Sequence, residues 1–198
     1  MFIDAAPDEA AEGPLRSFYD QQRASWGFLP NYAFAFATRP DVAAAWNQLN
    51  GAIRGGMERR RYEIATIAAA RALRSTYCTA AHAKFLRDDC DDEATLQALS
   101  TDPTGATLGD VDRAVYAFAG KVATDAASVQ QEDVDALRAV GLSDAEVADV
   151  VFAAAARSFF TRVLDGLGAQ LDHQTAATFD PSVREGLVVG RPPAPAPA

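Results

Sequence analysis

The sequence has no long apolar run, little cysteine and histidine, and no excess of basic residues. No stretch approaches the ~20 apolar residues that a membrane-spanning helix needs, so we expect no membrane segment. Two cysteines in 198 residues cannot build a disulfide framework, which indicates a reducing compartment such as the cytoplasm. The two cysteines and two histidines also lack the spacing of a Cys/His zinc site, so we expect neither a metal nor a cofactor.

The charge balance and the composition further limit which partners and which fold class are expected for this protein. A formal net charge of −9 and a pI near 4.6 disfavour binding to nucleic acid, which needs a concentrated basic surface, and docking on an anionic membrane. Alanine dominates the apolar residues, whereas valine, isoleucine and threonine are too sparse for many strands. The composition therefore predicts an all-α protein.

Start and stop signals divide the chain into successive helices. Pro14 opens the first helix and Gly27 closes it. Ser143 and Glu146 form a capping box that starts the longest helix, which runs to about Leu167. The predicted core-facing stripe of this last helix consists of Val147, Val150, Val151, Ala154, Phe159 and Val163.

No linker divides the chain between its first and last predicted helices. We therefore predict one helical bundle over residues 14–172. Residues 1–13 are expected to form a flexible N-terminus. Residues 173–198, which end in PPAPAPA, are expected to form an irregular C-terminal tail.

Residues 75–82 read STYCTAAH and hold one of the two cysteines and one of the two histidines. Ser75 or Thr76 is expected to cap a helix, which puts Cys78 in a first turn where free N–H groups favour the thiolate. His82 follows one turn later on the same side and can stabilise the thiolate or accept its proton. We therefore predict a thiol pKa below the ordinary value of about 8.5. The alternative is that both are ordinary core residues.

The longer stretch RYEIATIAAARALRSTYCTAAHAKFL resembles the signature of the alkylhydroperoxidase D-like, or carboxymuconolactone decarboxylase, superfamily. Members with peroxidase activity carry a glutamate on one helix and C-x-x-C-x-x-x-H on the next. Glu63, Cys78 and His82 fall on three of these positions, and Ser75 falls on the first cysteine. WGFLPN upstream and LxxxGLSDAEV downstream look like the branch called peroxidase-related enzymes. The resemblance implies the helical bundle of that superfamily and assembly into homo-oligomers, trimers or hexamers.

The resemblance also implies a function and residue roles. It implies a thiol-dependent peroxidase in which Cys78 attacks a hydroperoxide, His82 acts as its base and Glu63 orients His82. A helix break near residues 73–76 would let the helix of Glu63 fold back beside that of Cys78. In dithiol members the first cysteine resolves the sulfenic acid as a disulfide. Ser75 cannot do so, and an external thiol reductant is therefore needed.

Four further features have simpler interpretations. The Ser75 hydroxyl is expected to accept from the Cys78 N–H as a helix cap. Tyr77, where some members have another histidine, either donates to a bound peroxide or packs as an aromatic ring. Cys90 lies twelve residues after Cys78, about 18 Å along a helix, and is expected to have no catalytic role. Arg54 and residues 59–61, four arginines, form a basic cluster that is interpreted as a solvated helix face.

Two other functions remain open at this point. Other branches of the superfamily catalyse lactone decarboxylation, although those branches generally lack the redox cysteine. A helical assembly module with a degenerate site is the other alternative, and Ser75 is its best support. Peroxide-dependent oxidation of Cys78 distinguishes the peroxidase from both.

Overall fold

The fold is all-α, as the composition predicted, and the break between the helices of Glu63 and Cys78 is where it was expected. The computed structural model describes residues 1–197, which contain helices and turns but no strand. In chain order the helices are α1 (Gly13–Trp26), α2 (Asn31–Ala35), α3 (Pro40–Gly56), α4 (Arg59–Ala72), α5 (Thr76–Cys90), α6 (Glu93–Thr101), α7 (Asp110–Asp125), α8 (Gln131–Ala139), α9 (Asp144–Gly166), α10 (His173–Ala176) and α11 (Pro181–Leu187). None of the helices in this range is long and apolar enough to cross a lipid bilayer.

Helix α4 is the centre of the bundle and packs against α5, α7 and α9. All nine residues from Tyr62 to Ala70 are buried. Periodicity indicates burial of only one stripe of a helix, whereas this part of α4 is buried on every side. The many alanines explain the difference, because small side chains let three neighbouring helices approach α4 closely. The side chain of Glu63 is consequently inside the protein, with no exposed surface.

The hairpin of α4 and α5 determines where the candidate site lies. Helix α4 ends at Ala72 with Leu73 as its C-cap, Arg74 adopts a left-handed conformation (φ 59°), and Ser75 is the N-cap of α5. One residue in the left-handed region reverses the chain direction over a few residues, so the two helices lie side by side.

The inward stripe of α9 corrects one sequence-based prediction. Phe159 was expected in the core but is 44% exposed, and its ring lies against Trp46 at 5.5 Å between centroids. The buried stripe instead continues from Ala154 through Arg157 to Thr161 at helical spacing. Choosing only apolar residues missed it, because the residue at the inward position is charged.

The prediction that residues 173–198 form an irregular tail is also corrected. It contains α10 and α11, and α11 buries Val183 and Leu187 against α6 and α5. Beyond it, the N–H groups of Val189 and Gly190 donate to the Thr76 hydroxyl (3.1 and 2.9 Å) at the start of α5. Helices this short are unstable alone and gain their order from packing, which explains why local signals do not reveal them.

Residues 1–13, which were expected to be loose, make specific contacts. The Asp8 carboxylate accepts from Arg16 (2.9 Å) and Arg23 (2.5 Å) on α1, and the Tyr19 hydroxyl donates to the Ala6 carbonyl (3.0 Å). The Phe2 N–H donates to the Leu167 carbonyl (2.8 Å), which ties the start of the chain to the end of α9.

Candidate active site

Glu63 and His82, which are 19 positions apart in the sequence, form a buried hydrogen-bonded pair. Oε2 of Glu63 lies 2.5 Å from Nδ1 of His82. Both side chains are almost inaccessible, at 0% and 7% exposure of the residue. The structure therefore brings together two of the three main site residues that the sequence indicated.

The second carboxylate oxygen of Glu63 is also occupied. Oε1 accepts from Nε of Arg59 at 2.6 Å, and the same guanidinium bridges to Asp89 at 2.7 Å. The prediction that residues 59–61 form a solvated face is thus wrong. The two neighbouring arginines also join helices: the partners of Arg60 are Asp92, Thr95 and Asp112, and the partner of Arg61 is Glu146.

Burial controls the charge of His82. Loss of hydration and, after it, the positive charge of Arg157 lower the pKa of the imidazole to about 4, although Glu63 opposes the shift. At neutral pH the ring is therefore uncharged, and its Nδ1–H donates to the Glu63 carboxylate. Nε2 then carries the lone pair and has no hydrogen-bond partner among residues 1–197. His82 is thus a neutral base held in one orientation.

Cys78 lies in the first turn of α5, as predicted, and is only 1% exposed. Its sulfur accepts a long hydrogen bond from Nη1 of Arg157 (3.8 Å), and none joins it to His82. Burial raises the pKa of the thiol, while Arg157 and the Ser75 hydroxyl oppose that rise. The prediction of a lowered pKa is therefore wrong, because dehydration by the surrounding helices outweighs the helix start and the guanidinium.

Arg157 is the site residue that sequence reasoning missed. Its side chain is 3% exposed, Nη2 lies 3.5 Å from the Tyr62 hydroxyl, and Nε has no acceptor. The guanidinium carbon lies 5.8 Å from the centre of the Trp46 ring and 5.4 Å from that of Phe160. One signal was available: Arg157 interrupts the inward stripe of α9 between Ala154 and Thr161.

Ser75 occupies the N-cap of α5, but its side chain does not cap the helix. The prediction that it accepts from the Cys78 N–H is wrong. At Ser75 the backbone ψ is 99°, whereas at Ser143, whose hydroxyl does accept from the Glu146 N–H, ψ is 163°. The Ser75 hydroxyl is buried without a partner at hydrogen-bond geometry, near enough to Cys78 to lower the pKa of its thiol.

Tyr77 lines the cavity with its hydroxyl already hydrogen-bonded, and Cys90 lies apart from the reactive thiol. The Tyr77 hydroxyl donates to Oδ2 of Asp172 and accepts from the Tyr32 N–H (3.3 Å), so it joins the start of α2 to the residue that precedes α10. This favours the packing role over donation to a peroxide. Cys90 is the last residue of an unbroken α5 and half-buried, so the distance of about 18 Å from Cys78 stands.

Cys78, His82, Glu63 and Arg157 all line one cavity of about 680 Å³. Its other walls are mainly aromatic, and its rim carries amide and basic side chains from α1 and α3. The aromatic residues are Trp26, Tyr32, Trp46, Tyr62, Tyr77, Phe85 and Phe160. A buried thiol next to a neutral base, in a cavity of this size, suits nucleophilic attack on a small organic molecule. In residues 1–197 no three His, Cys, Asp or Glu side chains cluster closely enough to hold a metal ion.

Comparison with known proteins gives a family match in the central part of the chain. Residues 40–121, from the start of α3 into α7, match the carboxymuconolactone decarboxylase family. This segment includes the hairpin with Glu63, Cys78 and His82. No curated protein matches the chain in sequence.

Several solved structures share the fold along most of the chain. A peroxidase-related protein with an alkylhydroperoxidase core from Ralstonia eutropha JMP134 has a TM-score of 0.78 at 23% identity, over 88% of this chain and 93% of its own. A peroxidase-related protein from Silicibacter sp. TM1040 has a TM-score of 0.71 at 18% identity, over 88% and 91%. A variant of the debrominase Bmp8 in complex with 2,3,4-tribromopyrrole has a TM-score of 0.67 at 19% identity, over 83% and 88%.

Proposed function

We propose that this chain, which belongs to the alkylhydroperoxidase D-like and carboxymuconolactone decarboxylase superfamily, is a thiol-dependent peroxidase that uses Cys78. The observation that carries the proposal is the 2.5 Å contact between Glu63 and His82 in the same cavity wall as the Cys78 thiol. A core histidine would not need a buried carboxylate to orient it, whereas a general base does.

The first half of the cycle is oxidation of the thiol. His82 Nε2 takes the Cys78 proton, directly or through one water, while Glu63 stabilises the imidazolium that forms. The thiolate attacks the terminal oxygen of ROOH, so that an S–O bond forms and the O–O bond breaks. The proton held by His82 passes to the departing alkoxide. The sum is Cys–SH + ROOH → Cys–SOH + ROH.

Arg157 supplies the charge that this step needs. Its guanidinium lies beside the sulfur, so it stabilises the thiolate once the proton has left. It also keeps His82 neutral before the reaction by lowering the imidazole pKa. Arg157 therefore favours the base form of His82 and partly offsets the effect of burial on the Cys78 thiol.

The second half of the cycle uses an external thiol. With serine at position 75 and Cys90 about 18 Å away, no second thiol of the same chain is within disulfide reach of Cys78. Two molecules of an external thiol R′SH then return Cys–SOH to Cys–SH, with release of R′SSR′ and water.

A cytoplasmic homo-oligomer is part of the same proposal. Two cysteines without a disulfide suit a reducing compartment. Leu49 on α3 and Phe152 and Phe159 on α9 are 54%, 55% and 44% exposed, and these two helices pack on each other. We call these three residues the α3–α9 apolar face. Large exposed apolar side chains on adjoining helices are typical of a contact between subunits.

Mass spectrometry of Cys78 after one equivalent of hydroperoxide tests the proposal. We expect a sulfenic acid on Cys78 and none on Cys90, and we expect Glu63→Gln and His82→Gln to slow its formation about 100-fold or more. If Cys78 stays reduced while the protein is folded, the peroxidase proposal fails. Turnover of a lactone acid would then distinguish a lyase from an assembly module.

Restoring the missing cysteine tests the single-thiol cycle. Ser75 is buried, has no hydrogen-bond partner and precedes Cys78 by less than one helical turn, so Ser75→Cys should form a disulfide with Cys78. We expect higher turnover with dithiothreitol than the wild type shows, and no gain for the matched control Ser75→Ala. A variant that forms the disulfide but reduces no peroxide would contradict the proposed role of Cys78.

A further inference from the structure

The Arg157 guanidinium is a buried positive charge without a carboxylate partner among residues 1–197. Its only hydrogen-bond contacts are long: 3.8 Å to the Cys78 sulfur and 3.5 Å to the Tyr62 hydroxyl, and Nε has no acceptor. The other buried charge at the site, Glu63, is fully paired with Arg59 and His82. A desolvated, under-paired guanidinium is costly unless an anion binds it at some stage.

The cavity around Arg157 fits an organic anion better than an inorganic one. Its volume of about 680 Å³ far exceeds what a small ion needs, and Trp26, Trp46, Phe85 and Phe160 provide broad apolar walls. At the rim, the exposed Arg54 forms no ion pair with any residue of 1–197, so the entrance is also positive.

We propose that the cavity binds a small organic carboxylate with an apolar body, and that Arg157 holds the carboxylate beside Cys78. The guanidinium has five N–H donors, and its contacts with the sulfur and the Tyr62 hydroxyl use two of them, which leaves donors for a ligand. An anion on Arg157 lies next to the thiol, because Nη1 is 3.8 Å from the sulfur.

The position of the carboxylate beside Cys78 indicates a substrate class for the proposed peroxidase, and this step rests on the proposed function. If Arg157 holds a carboxylate and Cys78 attacks a peroxide 3.8 Å from Nη1, the two groups must be close together on the substrate. A 2-hydroperoxy carboxylate satisfies this, because both groups are attached to one carbon atom. Thiol attack reduces it to the 2-hydroxy carboxylate, while Cys78 is oxidised to the sulfenic acid.

The test uses a stable pair of ligands that differ only in charge. Mandelate is a 2-hydroxy carboxylate with an apolar ring, and mandelamide is its neutral counterpart. Trp26 and Trp46 are the only tryptophans of the chain and both line the cavity, so quenching of tryptophan fluorescence reports binding without any turnover. At constant ionic strength, we expect mandelate to bind about tenfold or more tightly than mandelamide.

Two arginines of α9 provide the matched variants. Arg157→Gln should abolish the preference for mandelate, and Arg162→Gln, which changes an exposed arginine of the same helix, should retain it. Equal binding of mandelate and mandelamide by the wild type overturns the inference, and so does an undiminished preference in folded Arg157→Gln. If Arg157→Gln does not fold, the comparison of mandelate with mandelamide on the wild type still tests the inference.

The binding result and the peroxidase result are separable. A preference for mandelate without sulfenylation of Cys78 by any hydroperoxide keeps the anion site and refutes the peroxidase function. Sulfenylation without a preference for mandelate keeps the peroxidase function and refutes the anion site. Quenching by chloride or phosphate as strong as that by mandelate also overturns the inference, because it shows a site for any anion.

Discussion

At the scale of single residues, the chemistry of the site depends on the balance between burial and charge. Burial alone would keep Cys78 protonated and His82 uncharged, and both shifts are present. Arg157 acts on the two groups in opposite senses: it opposes the rise of the thiol pKa, which favours loss of the sulfur proton, and it lowers the pKa of the imidazole, which keeps His82 neutral but makes it a weaker proton acceptor. One buried guanidinium thus stabilises the thiolate, while Glu63 rather than Arg157 stabilises the imidazolium.

The pH dependence of Cys78 alkylation measures the effect of Arg157 directly. The rate with iodoacetamide, followed on the Cys78 peptide by mass spectrometry, should reach half its maximum above pH about 8.5, the ordinary cysteine value. Arg157→Gln should shift this midpoint further upward, because the opposing charge is removed. Arg162→Gln should leave it unchanged. A midpoint that is the same in Arg157→Gln and wild type would show that the guanidinium does not act on the sulfur.

The depressed pKa of His82 predicts a loss of stability in acid. Between the unfolded value of 6.5 and the folded value of about 4, the unfolded chain binds a proton that the folded protein excludes. The free energy of unfolding should therefore fall as the pH is lowered through this window, by about 3 kcal/mol from this group.

The matched variant isolates His82 from the carboxyl groups that titrate nearby. Urea unfolding of wild type and His82→Gln at several pH values from 7 to 4 gives the difference attributable to the imidazole. We expect a flatter pH dependence in the variant. Parallel curves would mean that His82 titrates at its unfolded value in the native protein.

At the scale of elements, the α4–α5 hairpin forms the site, and residues 188–190, which we call the strap, hold the start of α5. The left-handed residue Arg74 turns α4 back onto α5, and this brings Glu63 to His82. The segment after α11 crosses the start of α5, where Thr76 accepts from Val189 and Gly190. The strap thus lies against Arg74 and Thr76 at the start of α5, while Cys78 lines the cavity.

Substitution of Gly190 tests whether the strap contributes to stability. A Cβ atom at Gly190 would lie 1.9 Å from the Arg74 carbonyl oxygen, so the strap must move away from the hairpin. We expect Gly190→Ala to lower the free energy of unfolding in urea by about 1–3 kcal/mol. Gly55→Ala is the control, because a Cβ there meets open space and an alanine favours α3. Equal free energies of unfolding for the two variants would mean that displacing the strap does not destabilise the protein.

At the scale of the whole molecule, the acidic surface contrasts with one apolar face. The net charge of −9 keeps copies of the chain apart at long range, although salt screens this repulsion. The α3–α9 apolar face offers short-range burial instead. Phe159 on this face also touches Trp46 of the cavity wall, so the proposed subunit contact adjoins the site.

A single charge on this face should change the assembly. We expect Phe152→Glu to lower the mass measured by light scattering towards the 21.0 kDa of one chain. Val188→Glu is the control, since Val188 is an exposed apolar residue outside α3 and α9. An unchanged mass of an oligomeric Phe152→Glu variant would locate the contact elsewhere.

Much of the secondary structure was predictable from the sequence, because its signals are local. Pro14 and Gly27 bound α1, and the Ser143 capping box starts α9, since these effects involve residues within one turn. The short helices after residue 172 were not predictable, because packing against α5 and α6 stabilises them rather than their own propensity.

For the candidate site, the sequence by itself determined which side chains are available: a thiol and an imidazole four residues apart, and a glutamate that a helix break could return to them. The tertiary structure alone decided their charges and their partners. Burial reversed the expected direction of the Cys78 pKa, and α9 contributed Arg157 from 79 positions along the chain. The physical reason is range: capping and periodicity act within a turn or two, whereas dehydration and ion pairing depend on every helix packed around a group.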